Sequence, residues 1–232
     1  MSAALSIVIP VLDEAIGIEA ALRALSPLRG RGVEVIVVDG GSRDGTPALA
    51  APLADRVLTA PCGRASQMNA GAAAATGDVL LFLHVDTQLP ADADRLVVQG
   101  LARTGRASHR IWGRFDLQFD RGRRLRLVAL MMNLRSRLTG IATGDQAMFV
   151  TRDAFTRAGG FPAIALMEDV ALSARLNRVG RPLCLRARVT TSGRRWRRRG
   201  TLRTILLMWG LRLRYFFGAD PARLAQVYEA RH

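Results

Sequence analysis

The sequence predicts an α/β fold: a mostly parallel central sheet flanked by helices, with further helices at the carboxyl-terminal end. Three observations carry that expectation. Residues 78–87 (Asp-Val-Leu-Leu-Phe-Leu-His-Val-Asp-Thr) are a short apolar run with no outward-facing position before His84 and Asp86. Bounded by Gly77 and Pro90, the run reads as a strand covered on both faces. Similar runs at 5–11 and 33–38 alternate with helical patterns, the spacing that parallel pairing through crossovers requires. Lastly, the ends of these runs deliver Asp13 with Glu14, then Asp39, then Asp86, to the sheet edge where ligands of open α/β folds collect. A lone carboxylate there could equally cap the next helix; its recurrence is what matters.

Composition sets the outer limits. With 232 residues, 49% of them hydrophobic, the chain can bury a core as one domain, and disorder is not indicated. Its 34 basic residues, all arginine, outnumber 19 acidic ones, for a formal net charge of +15 that calls for an anionic partner: phosphate groups, a lipid surface or nucleic acid. Cys62 and Cys184 have no metal or redox spacing, so two free thiols in a reducing, cytoplasmic compartment are the simplest expectation. The amino-terminal residues lack a secretory pattern, and no apolar stretch approaches the roughly 20 residues a membrane span needs.

In chain order, residues 5–11 form a first strand that Pro10 is expected to fray beside the acidic pair, and 15–25 follow as a helix. Residues 33–38 form a second strand that runs into Asp39-Gly-Gly-Ser-Arg-Asp-Gly-Thr-Pro47. That is a strand, a glycine-rich turn and a helix start with proline in first position, a geometry open to close ligand approach. After a short strand at 56–59, a small-residue helix carries Arg64, Gln67 and Gly71 along one face. Arg64 can reach a phosphate beside the free backbone donors of that helix, or sit solvated.

Taken together, Ser6-Ile-Val-Ile-Pro-Val-Leu-Asp-Glu14, Val35-Ile-Val-Val-Asp-Gly-Gly-Ser-Arg-Asp-Gly-Thr46, Gly63-Arg-Ala-Ser-Gln-Met-Asn-Ala-Gly71 and Leu81-Phe-Leu-His-Val-Asp-Thr87 resemble glycosyltransferase family 2, in particular its small bacterial members. The resemblance implies a GT-A fold, a nucleotide-sugar donor such as a UDP-sugar, Mg²⁺ or Mn²⁺, and inversion at the anomeric carbon. It places Pro10, Asp13 and Glu14 around the nucleoside, Asp39 at the base, and Asp86 on the metal as the last residue of an Asp-x-Asp signature. His84 stands at the first position of that signature, a departure that leaves it open as a metal ligand or a ribose contact. The implied organisation is one domain over 1–232: a nucleotide-binding half at 1–90, an acceptor half at 91–200 and a helical appendage at 201–232.

The second half is read in the same order. Residues 91–110 suggest a helix and loop, 111–119 a strand, 120–126 a basic turn, and 127–138 a helix whose arginines read as a solvated face. Within Thr143-Gly-Asp-Gln-Ala-Met-Phe-Val150, the resemblance puts Asp145 and Gln146 near the acceptor; a structural turn explains them equally. A helix over 166–179 carries Glu168 and Asp169 in its first turn, where the macrodipole alone accounts for one carboxylate. Attack by an acceptor hydroxyl needs a base, and the resemblance implies Asp169 for that role, with Glu168 as its neighbour orienting the loop or touching acceptor.

Residues 183–191 read as a strand leading to an arginine-rich loop at 192–200. This loop resembles a Gln-x-x-Arg-Trp element only loosely, and its Arg194, Arg195 and Trp196 are candidates to close over diphosphate or acceptor. Residues 202–217 form an apolar, aromatic and basic helix suited to a peripheral membrane contact at the cytoplasmic face, to packing on the core, or to a homodimer. Asp220-Pro221 restarts a terminal helix.

A lipid-linked or small-molecule acceptor is the expectation, its identity being set by pocket shape. Two rival functions fit less well. A nucleic-acid binder would interleave its basic residues with aromatics, which are only 6% of this chain. A sugar-phosphate nucleotidyltransferase would carry a basic glycine-rich loop after the first strand, where this chain has the acidic Asp13 and Glu14.

Overall fold

The computed structural model describes residues 4–102 and 110–229, with the side chains of Arg123, Arg195, Arg198, Arg199 and Glu229 outside the described residues. Its strands are β1 (Leu5–Val11), β2 (Glu34–Asp39), β3 (Arg56–Thr59), β4 (Val79–Phe82), β5 (Thr87–Gln88), β6 (Trp112–Phe119), β7 (Phe149–Thr151) and β8 (Leu183–Thr191). They form one sheet in the order β3-β2-β1-β4-β7-β6-β8-β5. Pairing is parallel from β3 through β4 and between β6 and β8, and antiparallel where β7 meets β4 and β6 and where β5 meets β8. The helices are α1 (Ala15–Arg29), α2 (Thr46–Ala50), α3 (Arg64–Ala74), α4 (Ala93–Ala102), α5 (Arg123–Thr139), α6 (Arg152–Arg157), α7 (Glu168–Val179), α8 (Arg194–Arg199), α9 (Thr201–Phe216) and α10 (Pro221–Glu229).

The alternation of the strands builds the layers. Leu5, Ile7, Ile9 and Val11 of β1, with Val35 and Val37 of β2, pack under Ile18, Leu22, Leu25 and Leu28 of α1. Val8, Ile36, Val38, Leu80 and Phe82 face the other way, against Ala65, Met68 and Ala72 of α3 and Leu172 and Leu176 of α7. Gly71 brings α3 close to the sheet: a Cβ there would meet Val8 Cγ1 at 2.3 Å. A third cluster packs Leu211 of α9 and Leu224 and Ala225 of α10 onto Leu166 and Met167, so the carboxyl-terminal helices lie against the entry to α7.

Two expectations along the sheet need correction. Residues 78–87 are not one strand: β4 ends at Phe82, where Phe82 N donates to Met148 O and Leu83 N to Val8 O, and the chain then turns away before joining β8 through β5. Nor does Pro10 fray β1, which continues to Val11 with Pro10 opposite Val38. The Val8 carbonyl points toward β4, and so by alternation does the nitrogen of Pro10, on a side where no strand continues past Phe82. The missing N–H therefore costs no ladder bond.

The second half differs at its joints. Residues 123–126 belong to α5 rather than to a turn, and the arginine-rich segment after β8 is the short helix α8. The apolar side chains Leu127, Leu130, Leu134 and Leu138 of α5, and Leu206, Trp209, Leu213 and Phe216 of α9, are left exposed. Among the described residues, no helix is long and apolar enough to cross a membrane.

Candidate active site

Because β2 and β3 lie on one side of β1 and β4 on the other, the strand order reverses between β1 and β4. A crevice of about 1120 Å³ opens there, beyond the carboxyl ends of these strands. Pro10, Val11, Leu12 and Glu14 line it from the end of β1, and His84, Val85 and Asp86 from the segment after β4. Its floor is tied by the buried amide of Gln67, whose Nε2 donates to Val11 O at 2.7 Å and Val38 O at 2.8 Å. The opposite wall comes from Thr143 to Asp145, from Leu166 to Val170, and from Arg194, Trp196, Arg212 and Tyr228.

The glycine-rich turn after β2 works as a cap for α1. Ser42 Oγ, Thr46 Oγ1 and Asp44 Oδ2 accept from the backbone N–H groups of Asp13, Glu14 and Ala15 at 2.8, 2.9 and 2.8 Å. In return Asp13 Oδ1 accepts from Arg43 N at 2.8 Å, and buried Asp39 accepts from Gly41 N, Ser42 N and Ser42 Oγ. Both carboxylates are thus taken up within the turn and neither lines the crevice. Glu14 does.

Across the crevice, one backbone segment joins the two walls. Gly144 N donates to Asp169 Oδ2 at 2.7 Å, and Val170 N to Asp169 Oδ1 at 2.7 Å. The His84 ring lies over Gly144, where an added Cβ would sit 2.5 Å from ring atoms, and His84 Nδ1 is 3.3 Å from Asp145 Oδ1. Trp196 packs edge-on against Phe119 at 5.6 Å between ring centroids. Gln146 is buried beneath, its Oε1 accepting from Thr143 N at 3.3 Å.

Of the residues singled out in the sequence, Pro10, Glu14, Arg64, His84, Asp86, Asp145, Glu168, Asp169 and Trp196 therefore meet in one crevice. Asp13, Asp39 and Gln146 lie behind its lining, and the Arg195 side chain lies outside the described residues. Sequence reasoning missed Arg135 and Arg212, which also line the crevice. Both looked like the polar edges of amphipathic helices, and helical spacing carries no sign of what a face will meet.

Charge is distributed unevenly. Burial pushes the Glu14 carboxyl above its usual value, and the nearby Asp86 charge pushes it further, against the pull of Arg194 and Arg64. Arg64 is open to the crevice yet ringed by protein; burial opposes its charge, but Glu168, Asp145 and Asp169 more than compensate and raise its pKa. Glu168 is raised to about 7, chiefly by burial and then by the charge of Asp169, with Arg64 opposing. A divalent cation fits the sheet-side wall: one at Asp86 would relieve the repulsion between Asp86 and Glu14. Among the described residues no cluster of three or more His, Cys, Asp or Glu stands ready as a metal site, so such an ion would complete its shell with water and ligand oxygens, as Mg²⁺ commonly does.

The sequence profile described as Glycosyl transferase family 2 matches residues 6–159. The chain belongs to glycosyl transferase family 2. That match spans β1 through α6 and so includes the sheet-side wall with Glu14, His84 and Asp86. Solved structures share the fold. A mannosyltransferase from Pyrobaculum calidifontis, in complex with GDP-Man and Mn²⁺, is 19% identical with a TM-score of 0.61, over 83% of this chain and 57% of that one. S. aureus TarS 1-349 in complex with UDP-GlcNAc is 17% identical with a TM-score of 0.67, over 82% and 58%. Glucosyl-3-phosphoglycerate synthase from Mycobacterium tuberculosis, with Mn²⁺, UDP and phosphoglyceric acid, is 23% identical with a TM-score of 0.57, over 82% and 69%. The family 2 chain described here thus spans 57% and 58% of the length of the first two. No curated protein sequence matches it.

The raised Glu168 has a consequence for stability. Its folded pKa of about 7 lies above the ordinary 4.5, so its neutral form favours the fold below 4.5 and that contribution is lost as pH rises through 7. Glu168→Gln is therefore expected to melt several degrees above the unsubstituted chain at pH 8, and the gap to close below about pH 4.5. Melting curves across that range check it, and a gap that ignores pH would contradict the burial of an ionisable Glu168.

Proposed function

We propose that the crevice binds a nucleotide-sugar, with UDP the expected nucleotide, and that the chain transfers the sugar to an acceptor hydroxyl with inversion. One observation carries this reading: Asp86 and Glu14 at the sheet edge share a single cavity with Glu168 and Asp169 at the start of α7. The nucleotide-sugars in two related structures and the Mn²⁺ in two support it at the level of the shared fold.

In this reading Pro10 and Glu14 flank the nucleoside, and Asp13 and Asp39 shape that end of the site through the turn they brace. Arg64 faces the diphosphate, with His84 beside it. Asp86 would hold Mg²⁺ or Mn²⁺, which when bound would neutralise charge on the departing diphosphate. Inversion follows from a single displacement, in which the acceptor hydroxyl loses its proton as its oxygen bonds to the anomeric carbon. Asp169 takes that proton, its carboxylate aimed by the backbone N–H groups of Gly144 and Val170. Glu168 sits beside it as the group whose charge changes near neutral pH. Asp145 and Trp196 form the acceptor side, braced from behind by Gln146, next to the exposed apolar stripes of α5 and α9, where a membrane surface at the cytoplasmic face would lie.

Calorimetric titration of UDP- and GDP-sugars is expected to show binding that depends on Mn²⁺ in the unsubstituted chain and loses that dependence in Asp86→Ala. Asp169→Asn should keep donor binding and lose about 10²–10⁴ in turnover, whereas Glu168→Gln, fixed in the neutral form, should keep the turnover seen below pH 7 and lose the rise in rate through it. Full turnover in Asp169→Asn together with loss in Glu168→Gln would exchange the two roles. Absence of any Mn²⁺-dependent binding would end the reading. Sedimentation with anionic liposomes should be lost in a Trp209→Glu, Phe216→Glu variant; equal sedimentation of both proteins would remove the membrane contact.

A further inference from the structure

The fold contains two kinds of buried arginine. Arg114 is fully buried, and every nitrogen of its guanidinium is occupied: Nε donates to Ser136 Oγ at 3.0 Å, Nη1 to Phe115 O at 3.2 Å and to Asp116, and Nη2 to Asn133 O at 3.0 Å. Arg135, on helix α5, is different. Its Nε and Nη2 are both shut off from bulk water and have no hydrogen-bond partner, and the same holds for Nε of Arg212 on α9. Both side chains line the crevice.

Such donors are costly, because a guanidinium stripped of water and left unpaired loses its hydration with nothing in return. The cost registers in both groups. Burial pushes Arg135 down to about 10, with the charge of Arg212 adding to the effect, and burial likewise lowers Arg212 despite the nearby Asp169 and Asp145. Asp169 does not repay them with hydrogen bonds, its oxygens accepting instead from Gly144 and Val170. Two partner-poor guanidiniums of like charge lining one crevice suit a compact anion with several acceptor oxygens, which would meet the nitrogens left open to the cavity. The cavity wall around them is apolar, formed by Val128, Met131, Met132, Ile205 and Met208.

We propose that Arg135 and Arg212 form a subsite for a phosphate ester, which makes the acceptor a phosphorylated molecule whose phosphate is held beside Asp169. The word acceptor rests on the proposed function; the anion site rests on the two arginines alone. A phosphate carried on a lipid and one carried on a soluble metabolite present the same oxygens to this pair.

The test uses the full chain and two probe pairs, glycerol 3-phosphate against glycerol in buffer, and a polyprenyl monophosphate against the matching polyprenol in the same detergent micelles. Binding is followed by tryptophan fluorescence, to which Trp196 and Trp209 contribute from the crevice lining. The phosphate member of at least one pair is expected to bind and its alcohol partner not. Arg135→Gln or Arg212→Gln should weaken that binding by roughly tenfold to a hundredfold while leaving the affinity for the nucleotide-sugar unchanged. Response to glycerol 3-phosphate assigns a soluble source, and response to the polyprenyl probe alone a lipid one. Failure of both phosphates to bind, equal binding of the alcohols, or unaltered affinity in the variants would overturn the subsite.

A second reading guards against a folding artefact. With no anion present, Arg135→Met should melt no lower than the unsubstituted chain, since it removes an uncompensated buried charge, and added inorganic phosphate should raise the melting point of the unsubstituted chain only. A variant that melts lower or fails to fold would make Arg135 a structural cation and end the proposal. Phosphate binding that survives while no nucleotide-sugar binds would leave the subsite standing and remove the donor reading; the opposite pattern would do the reverse.

Discussion

Past Val8 and Phe82, β1 and β4 stop pairing, and the rest of the molecule answers to that split. Backbone groups at the end of a buried strand must find partners somewhere. The carbonyl of Val11 finds two, Gly40 N at 2.9 Å and the side chain of Gln67, and these hold β1 and β2 together while β4 leaves. What opens on the other side is a cavity lined by residues that the strands have just delivered. The crevice is therefore a product of topology: the chain places β2 and β3 to one side of β1 and β4 to the other, and nothing continues the sheet at the point of reversal.

Keeping that space open has a cost that is visible in the backbone. Among the described residues, the non-glycine positions with positive φ are Asp13 at 54°, Ala147 at 45° and Met167 at 72°. One precedes Glu14, one follows the Gly144 to Gln146 segment, and one precedes Glu168. Left-handed conformations at such residues cost free energy and persist where the surroundings impose them. Here Met167 is buried in the cluster formed with α9 and α10, so the carboxyl-terminal helices help hold the turn that presents Glu168 and Asp169. The third cluster thus belongs to the site as much as to the fold.

Much of this was legible in the amino-acid order. The strand at 5–11 and the one expected at 33–38 announce themselves because covered strands leave little choice but apolar residues, and the acids at their ends stand out against that background. Glu14, His84 and Asp86 were readable for the same reason, and Glu168 and Asp169 through a helix start matched by the family resemblance. Less accessible were features decided by tertiary partners. Residues 78–87 look like one strand because Leu83 and Val85 are apolar, yet those side chains fill a turn. Asp13 and Asp39 look like free acids at strand ends until the turn that consumes them is seen. Arg135 and Arg212 resemble every other arginine on an amphipathic helix, since whether such a side chain meets solvent, a carboxylate or a cavity depends on elements far away in sequence.

Three separated segments, 11–15, 84–87 and 167–170, are proposed to wall one binding site. Amide hydrogen exchange on the whole chain, with and without a UDP- or GDP-sugar plus Mn²⁺, addresses this claim most directly. Exchange slowed in all three segments together, with β3 and α4 unaffected, is the result this account requires. Protection confined to one segment, or falling instead on β3 or α4, would contradict it.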